Sequence, residues 1–453
     1  MTPSRCDTAA TPNPVPFRDA LRFWFVLGFI SFGGPAGQIA LMHRALVDER
    51  RWISERRFLH ALNFCMVLPG PEAQQLATYL GWLMHGRLGG IIAGLLFILP
   101  SFAILVLLSF IYVSFGAVPL VDAIFEGLKP AVVAVVLQAC HRLATRTLQG
   151  PLLWSIAGLA LCATLLGVSF PLILLGAALC GVAGARFAPT AFRLPGSVTA
   201  PGTQRVMARP AYIDDDTPTP PHARHRPGHL IRVLLVGLGL WGAGIMLLAA
   251  LFGREHLLTI MALFFTKAAL LTFGGAYAVL PYVHDGAVNT YGWLSSGQML
   301  DGLALGESTP GPLIMIVAFV GYVAGHAAAF LGQGEAHLAG VSAALVATAF
   351  TFLPSFLLVL AGGPMVEATR DRHAYLAVFT AISAAVVSAM LNLALVLAQH
   401  VILPSGLVSS PDPVALAVTV GAALALIVGR RKVPEVFIAA ALLAAAGYGL
   451  KIF

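Results

Sequence analysis

The chain has 453 residues, of which 58% are hydrophobic and only 10% charged, and its mean hydropathy is +0.86. A soluble domain carries about 25% charged residues, so this composition excludes a water-coated globule and leaves lipid as the solvent for most of the chain. The formal charge of +7 lies in loops between apolar segments, the positive-inside pattern of a membrane protein rather than a nucleic-acid-binding face.

In chain order, residues 1–16 are rich in Pro, Thr and Ala. They lack the charged-then-apolar order of a cleaved signal peptide and read as a disordered cytoplasmic tail. Apolar spans follow over about 20–36, 62–84, 88–115, 119–142, 151–168 and 170–187, each near the ~20 residues a bilayer requires of a helix. Residues 188–229, rich in Pro, Arg, His and Thr and containing Asp214-Asp215-Asp216, are too polar to fold alone and read as a cytoplasmic linker. An extra linking span occupies 230–257. The second half then predicts spans over about 258–282, 303–325, 338–362, 374–399, 412–429 and 433–451. The fold class is an all-α polytopic membrane protein with about 13 transmembrane segments, several of them broken or re-entrant. The five cysteines (Cys6, Cys65, Cys140, Cys162 and Cys180) form no CxxC pair, so neither a disulfide framework nor a zinc site follows from them.

The two halves are related. Phe32-Gly33-Gly34 recurs as Phe273-Gly274-Gly275, Trp52-Ile53-Ser54 as Trp293-Leu294-Ser295, and Pro69-Gly70-Pro71 as Pro310-Gly311-Pro312, all at an offset of 241. Leu99-Pro100-Ser101-Phe102 returns as Leu353-Pro354-Ser355-Phe356 at an offset of 254, which puts about 13 inserted residues near 326–338. Residues 17–187 and 258–453 are therefore two repeats. Six spans plus the extra one make an odd number, so the second repeat enters the membrane inverted, an architecture typical of secondary transporters. Loop charge favours a cytoplasmic N-terminus and a periplasmic C-terminus. Arg44–Arg57, with five Arg against Asp48, Glu49 and Glu55, is the exception, since this threading puts it on the far side. Trp52 and Ile53 could lay it along the interface.

The Pro-Gly-Pro motifs fall inside otherwise apolar segments. Proline removes a donor and clashes with the preceding turn, so a helix breaks there. Broken backbone at membrane depth is tolerated only where it is buried in protein or lines a wet cavity. The helix that restarts presents its positive N-terminal end, a ready anion site. Two such breaks matched across an inverted repeat point to a midplane substrate site, with a paired kink serving packing as the alternative. The Gly-Gly pairs end the first core span of each repeat and suit close approach or unwinding.

Lys267, with Val26 at its matching position, is either a counter-charge to an anionic substrate or a snorkelling lysine. Glu72 and Glu307 exchange protons, pair with Lys267 or an arginine, or, for Glu72, stabilise their own helix N-terminus. Gln74 and Gln75 are neutral donors to an oxyanion or ties between helices. Lys129-Pro130 opens a span. No HExxH, no GxxxxGK[ST] and no clustered metal ligands occur, so neither an enzyme nor an ATPase is expected, no cofactor is implied, and transport must draw on ion gradients or the membrane potential.

The block LGFISFGGPAGQIALMHRALVDERRWISERRFLHALNFCMVLPGPEAQQLATYLGW, followed by GGIIAGLLFILPSF, resembles the first half of the long-chain chromate ion transporter family. LLTFGGAYAVLPYV, YGWLSSGQMLDGLALGESTPGPLIMIVAFVGY and TFLPSF are similar to that family's second half. The resemblance covers roughly 17–187 and 258–451. It implies proton-motive-force-driven efflux of chromate across the inner membrane, in an antiporter manner, and chromate resistance. It puts the family's signature on Gly33, Gly34, Pro69, Gly70, Pro71, Gly274, Gly275, Pro310, Gly311 and Pro312, and its lysine on Lys267. Sulfate or molybdate carriage and an anion channel of the same fold stay open, as does a homo-dimer.

Overall fold

The computed structural model describes residues 14–32, 34–116, 118–187, 210–215, 217–218, 220–223, 227–273, 275–368, 376–404 and 410–449. Gly33, Gly274 and most of the predicted tail lie outside the described residues. The described chain is built from helices, with one isolated parallel bridge between Ile53 and Ile213. Five helices are long and apolar enough to cross a membrane (72–115, 170–187, 230–252, 333–364 and 377–402), and five shorter apolar helices accompany them.

Each repeat begins with two helical hairpins rather than two crossings. In the first, α1 (Phe17–Ile30) stops at Ser31, and α2 (Gly34–His43) leads through a six-residue π turn, Arg44–Glu49, to Trp52. Trp52 lies edge-on to Phe23, their ring centroids 5.4 Å apart, so the chain has returned alongside its own start. The second hairpin runs up α3 (Glu55–Val67), breaks at Pro69-Gly70-Pro71 and returns along the first arm of α4 (Glu72–Phe115). That arm ends at His85 and Gly86, whose backbone is non-helical. There the chain folds back on itself, and Gly81, Trp82 and Thr78 face Gly89, Gly90 and Gly94 of the second arm. Apolar length alone cannot tell such a hairpin from a span, because both bury about the same run of apolar residues.

The second repeat repeats this geometry at the same offset. α9 (Leu257–Leu270) breaks at 271–275 and returns through α10 (Leu280–His284) and a π turn over Asp285–Thr290. Trp293 then meets Phe264 edge-on at 5.3 Å. α11 (Ser296–Ser308) leads to Pro310-Gly311-Pro312, and α12 (Ile316–Ala328) returns to pack antiparallel on α13 (Ala336–Ala368). Ser54 and Ser295 cap α3 and α11 by accepting from the N–H groups of Arg57 and Gln298, as N-cap serines do. The tight bend at His85 and Gly86 becomes a longer connection through 329–335, which together with longer helix ends on either side takes up the inserted residues.

The remaining helices are α5 (Pro119–Thr147), α6 (Pro151–Leu165), α7 (Phe170–Phe187), α8 (Pro227–Phe252), α14 (Leu376–Ile402), α15 (Pro413–Ile427) and α16 (Val433–Gly449). α14 packs on α5, α6 and α7, and α15 and α16 pack on α5. Pro130 lies inside α5 rather than opening a helix.

The two pairs of hairpins enter from opposite ends. The base of the first pair touches the linker: Ser54 donates to Asp215 at 2.7 Å, an Arg57 guanidinium N–H to the Thr217 carbonyl at 2.7 Å, and His222 lies 2.9 Å from the Trp82 carbonyl. Trp82 also packs on Gly363 near the end of α13, while His337, near the start of α13, meets Phe110, near the end of α4, at 4.7 Å. The Arg44–Arg57 segment therefore lies at the linker end of the bundle. The sequence reading, which threads 20–36 as a full crossing, assigns it to the other end. With 17–43 folded as a hairpin, the exception to the charge pattern disappears.

Candidate functional site

A helix broken inside a bundle leaves N–H and C=O groups that must find partners away from water. Here each break supplies the partner for the break in the other repeat. The Gly70 N–H donates to the Thr272 carbonyl at 2.8 Å, and the Gly311 N–H donates to the Ser31 carbonyl at 2.8 Å. Gly70 matches Gly311 and Ser31 matches Thr272 at the offset of 241, so the two bonds are equivalent across the repeat. The Pro-Gly-Pro tip of one half is thus tied to the Phe-Gly-Gly tip of the other.

The glycines are required by conformation and by space. Gly70 has φ +127° and Gly311 φ +107°, a region that side chains other than glycine's disfavour. A β-carbon on Gly70 would overlap Ser355 Oγ, and one on Gly311 would overlap the Ser101 side chain. These serines come from the Leu-Pro-Ser-Phe motifs of the opposite repeats, again in reciprocal fashion. Both are buried, and neither hydroxyl has a hydrogen-bond partner among the described residues. Buried polar groups are nearly always paired, and here two hydroxyls beside the two helix breaks are left open to a partner.

Other predicted residues gather here. Pro71 is the N-cap of α4, and Glu72, its first residue, is buried; its Oε1 lies 3.8 Å from the β-position of Gly275. Glu307 accepts from the Tyr277 hydroxyl at 2.8 Å, and that hydroxyl lies 3.6 Å from the β-position of Gly34. Pro69 accepts from the Gln75 amide at 2.7 Å, and Gln74 donates to Thr78 at 2.9 Å. Both glutamines thus spend a donor locally and leave their carbonyl oxygens unpartnered. Pro310, Gly311 and Pro312 are all buried. Gln38, fully buried, donates to the Gly311 carbonyl at 2.5 Å. Gly33 and Gly274 carry predicted roles that fall outside the described residues.

Lys267 is not drawn to this cluster. It stands on an exposed face of α9, a turn away from exposed Leu263 and Leu270. Arg142 and Arg146 of α5, both exposed, are the cations whose field reaches Glu307 and Glu72, without an ion pair to either. Arg146 also reaches Met66 Sδ at 3.9 Å, three residues before the Pro69 break. In the sequence these arginines look like ordinary loop charge, and Ser101, Ser355, Gln38 and Tyr277 carry no signal beyond the recurrence of Leu-Pro-Ser-Phe.

Reciprocal helix tips, two free hydroxyls and two carboxylates, one buried and one half-buried, thus meet where the repeats join. The chromate transporter family model matches residues 18–199 and 259–450. The chain belongs to the chromate transporter family. It is 34% identical over 380 residues to a chromate transport protein of Pseudomonas aeruginosa, covering 82% of this chain and 79% of that one. It is 31% identical to a probable chromate transport protein of Synechococcus elongatus, over 76% of this chain and 75% of the relative. A chromate transport protein of Cupriavidus metallidurans is 28% identical over 96% of this chain and 94% of its own length. No solved structure matches. Like the rest of the chromate transporter family, the chain is a membrane transporter and not an enzyme.

Proposed function

We propose that the chain exports chromate from the cytoplasm across the inner membrane, driven by the proton-motive force, and so confers chromate resistance. The observation that carries this reading is the tip-to-tip closure of the two repeats, Gly70 to Thr272 and Gly311 to Ser31, with the free hydroxyls of Ser101 and Ser355 beside it. A tetrahedral dianion offers acceptors on every side, and hydroxyl and backbone donors in a low-dielectric site bind such a group well. The repeats act as an inverted pair whose hairpins open toward opposite faces, with α8 as the odd crossing between them.

Charge gives the direction. Arg44, Arg50, Arg51, Arg56 and Arg57 lie on the segment that meets the linker, and the basic end of a membrane protein is cytoplasmic. Arg142 and Arg146 carry positive charge to the tip carboxylates, which favours anion entry from that end. With four hairpins in place of four crossings, nine crossings remain; the odd number puts the two termini on opposite faces, and the basic linker end assigns the N-terminus to the cytoplasm.

The test is uptake of radiolabelled chromate into inside-out vesicles, with and without a protonophore and with excess sulfate or molybdate. Saturable uptake that collapses with the protonophore and resists sulfate and molybdate is expected. Uptake equal to that of empty vesicles would exclude chromate export, and non-saturable flux insensitive to the protonophore would indicate a channel. Strong competition would make chromate a mimic of another oxyanion.

A further inference from the structure

At the end of the bundle away from the linker, a cavity of about 280 Å³ opens between the end of α4, the start of α5, α11 and α12. Its polar lining is Tyr112, Asp122, Gln298, Asp301 and His326. Asp301 is only 5% exposed. Its Oδ2 accepts from the Tyr112 hydroxyl at 2.8 Å, while its Oδ1 is buried without a partner. A lone acceptor of this kind, with its sister oxygen held in place, is a poor structural device, because an unpaired buried oxygen costs about 1–3 kcal/mol.

The charges around it decide what the cavity admits. From α5 come Asp122, Glu126 and Lys129, with Lys129 spent on an ion pair to Glu126. From α12 comes His326, its ring tilted against that of His337 of α13 with centroids 4.7 Å apart, and from α4 comes Tyr112. Three carboxylates against one paired lysine repel a dianion. A single carboxylate oxygen left open, with its sister oxygen held by a hydroxyl, suits the smallest cation, the proton, which needs one lone pair and no further ligands.

We propose that Asp301 is the carboxylate that takes up the coupling proton from the far side, at Oδ1, while Tyr112 holds Oδ2. This rests on the coupling proposed above and gives it a residue and a side. Protonation turns the carboxylate into a neutral acid, and release toward the cytoplasm regenerates it, with no other bond made or broken. Anion entry at the arginine end and proton entry at the acidic end are the two halves of an antiport.

The experiment uses the full chain in proteoliposomes and measures two fluxes: chromate exchange at equal pH, and chromate accumulation driven by a pH gradient. A gradient of one unit supports about tenfold accumulation per proton exchanged. Asp301→Asn is expected to keep exchange and to lose gradient-driven accumulation. Tyr112→Phe is expected to move the pH profile of accumulation to the alkaline side, because the ionised form loses a donor that favours it. Gradient-driven accumulation by Asp301→Asn would overturn the assignment. So would loss of both fluxes in Asp301→Asn combined with a wild-type pH profile in Tyr112→Phe. If the wild-type chain itself ignored the gradient, the coupling reading would fall and the assignment with it.

Discussion

Gly70 and Gly311 show what a single residue does here. Each holds a conformation with positive φ, worth about 1–3 kcal/mol of strain for another residue, and each abuts a serine of the other repeat. Gly70→Ala is expected to abolish chromate transport. Removing the Ser355 hydroxyl relieves one of the two overlaps of the new methyl, the other being Gln75 Nε2 at 2.6 Å, and leaves the φ strain, so Ser355→Ala should recover part of the stability lost in Gly70→Ala and none of that lost in Gly311→Ala. Thermal melts of the purified single and double variants check this, and additive losses would contradict the contact. Lys267 makes the opposite case. A lysine in an apolar segment reads as functional by default, yet its side chain is exposed on the outer face of α9. Lys267→Ala should leave the KM for chromate within about twofold of wild type, whereas Arg146→Ala should raise it, by about tenfold for a loss of 1.4 kcal/mol. Initial uptake rates against chromate concentration distinguish the two.

At the scale of elements, the duplication was legible and the way its parts meet was not. Phe-Gly-Gly, Pro-Gly-Pro and Leu-Pro-Ser-Phe recur in register, and the π turns at Arg44–Glu49 and Asp285–Thr290 and the Phe23–Trp52 and Phe264–Trp293 pairs follow that register in space. The broken segments were visible from proline chemistry. Their reversal was not, because a hairpin that dips in and out spends as many apolar residues as a crossing. Nor does periodicity say which break closes which. That depends on backbone groups of Ser31 and Thr272 whose side chains are incidental to the bond. The hairpins carry a prediction of sidedness: in a cysteine-free background, Ser54→Cys should react with an impermeant thiol reagent from the cytoplasmic face and Ser295→Cys from the periplasmic face. Labelling of both from one face would refute the opposed entry of the hairpins.

Over the whole molecule, the two halves complete each other, and the proposed site is one shared between them. Every tip is completed by the other repeat, Gly70 by Thr272 and Ser355, Gly311 by Ser31 and Ser101, and Glu72 lies beside Gly275 while Tyr277 bridges Glu307 and Gly34. The arginine-rich segment stands at the linker end and Asp122 and Asp301 at the other, so charge is unevenly spread along the bundle although its backbone is nearly symmetric. The most direct measurement is equilibrium binding of radiolabelled chromate to the purified chain and to the Ser101→Ala, Ser355→Ala and double variants. The account predicts one site per chain, weakened by either substitution by about tenfold or more, as expected for a lost hydrogen bond to a charged group, and further by both. Two sites per chain, or affinity indifferent to both serines, would contradict it.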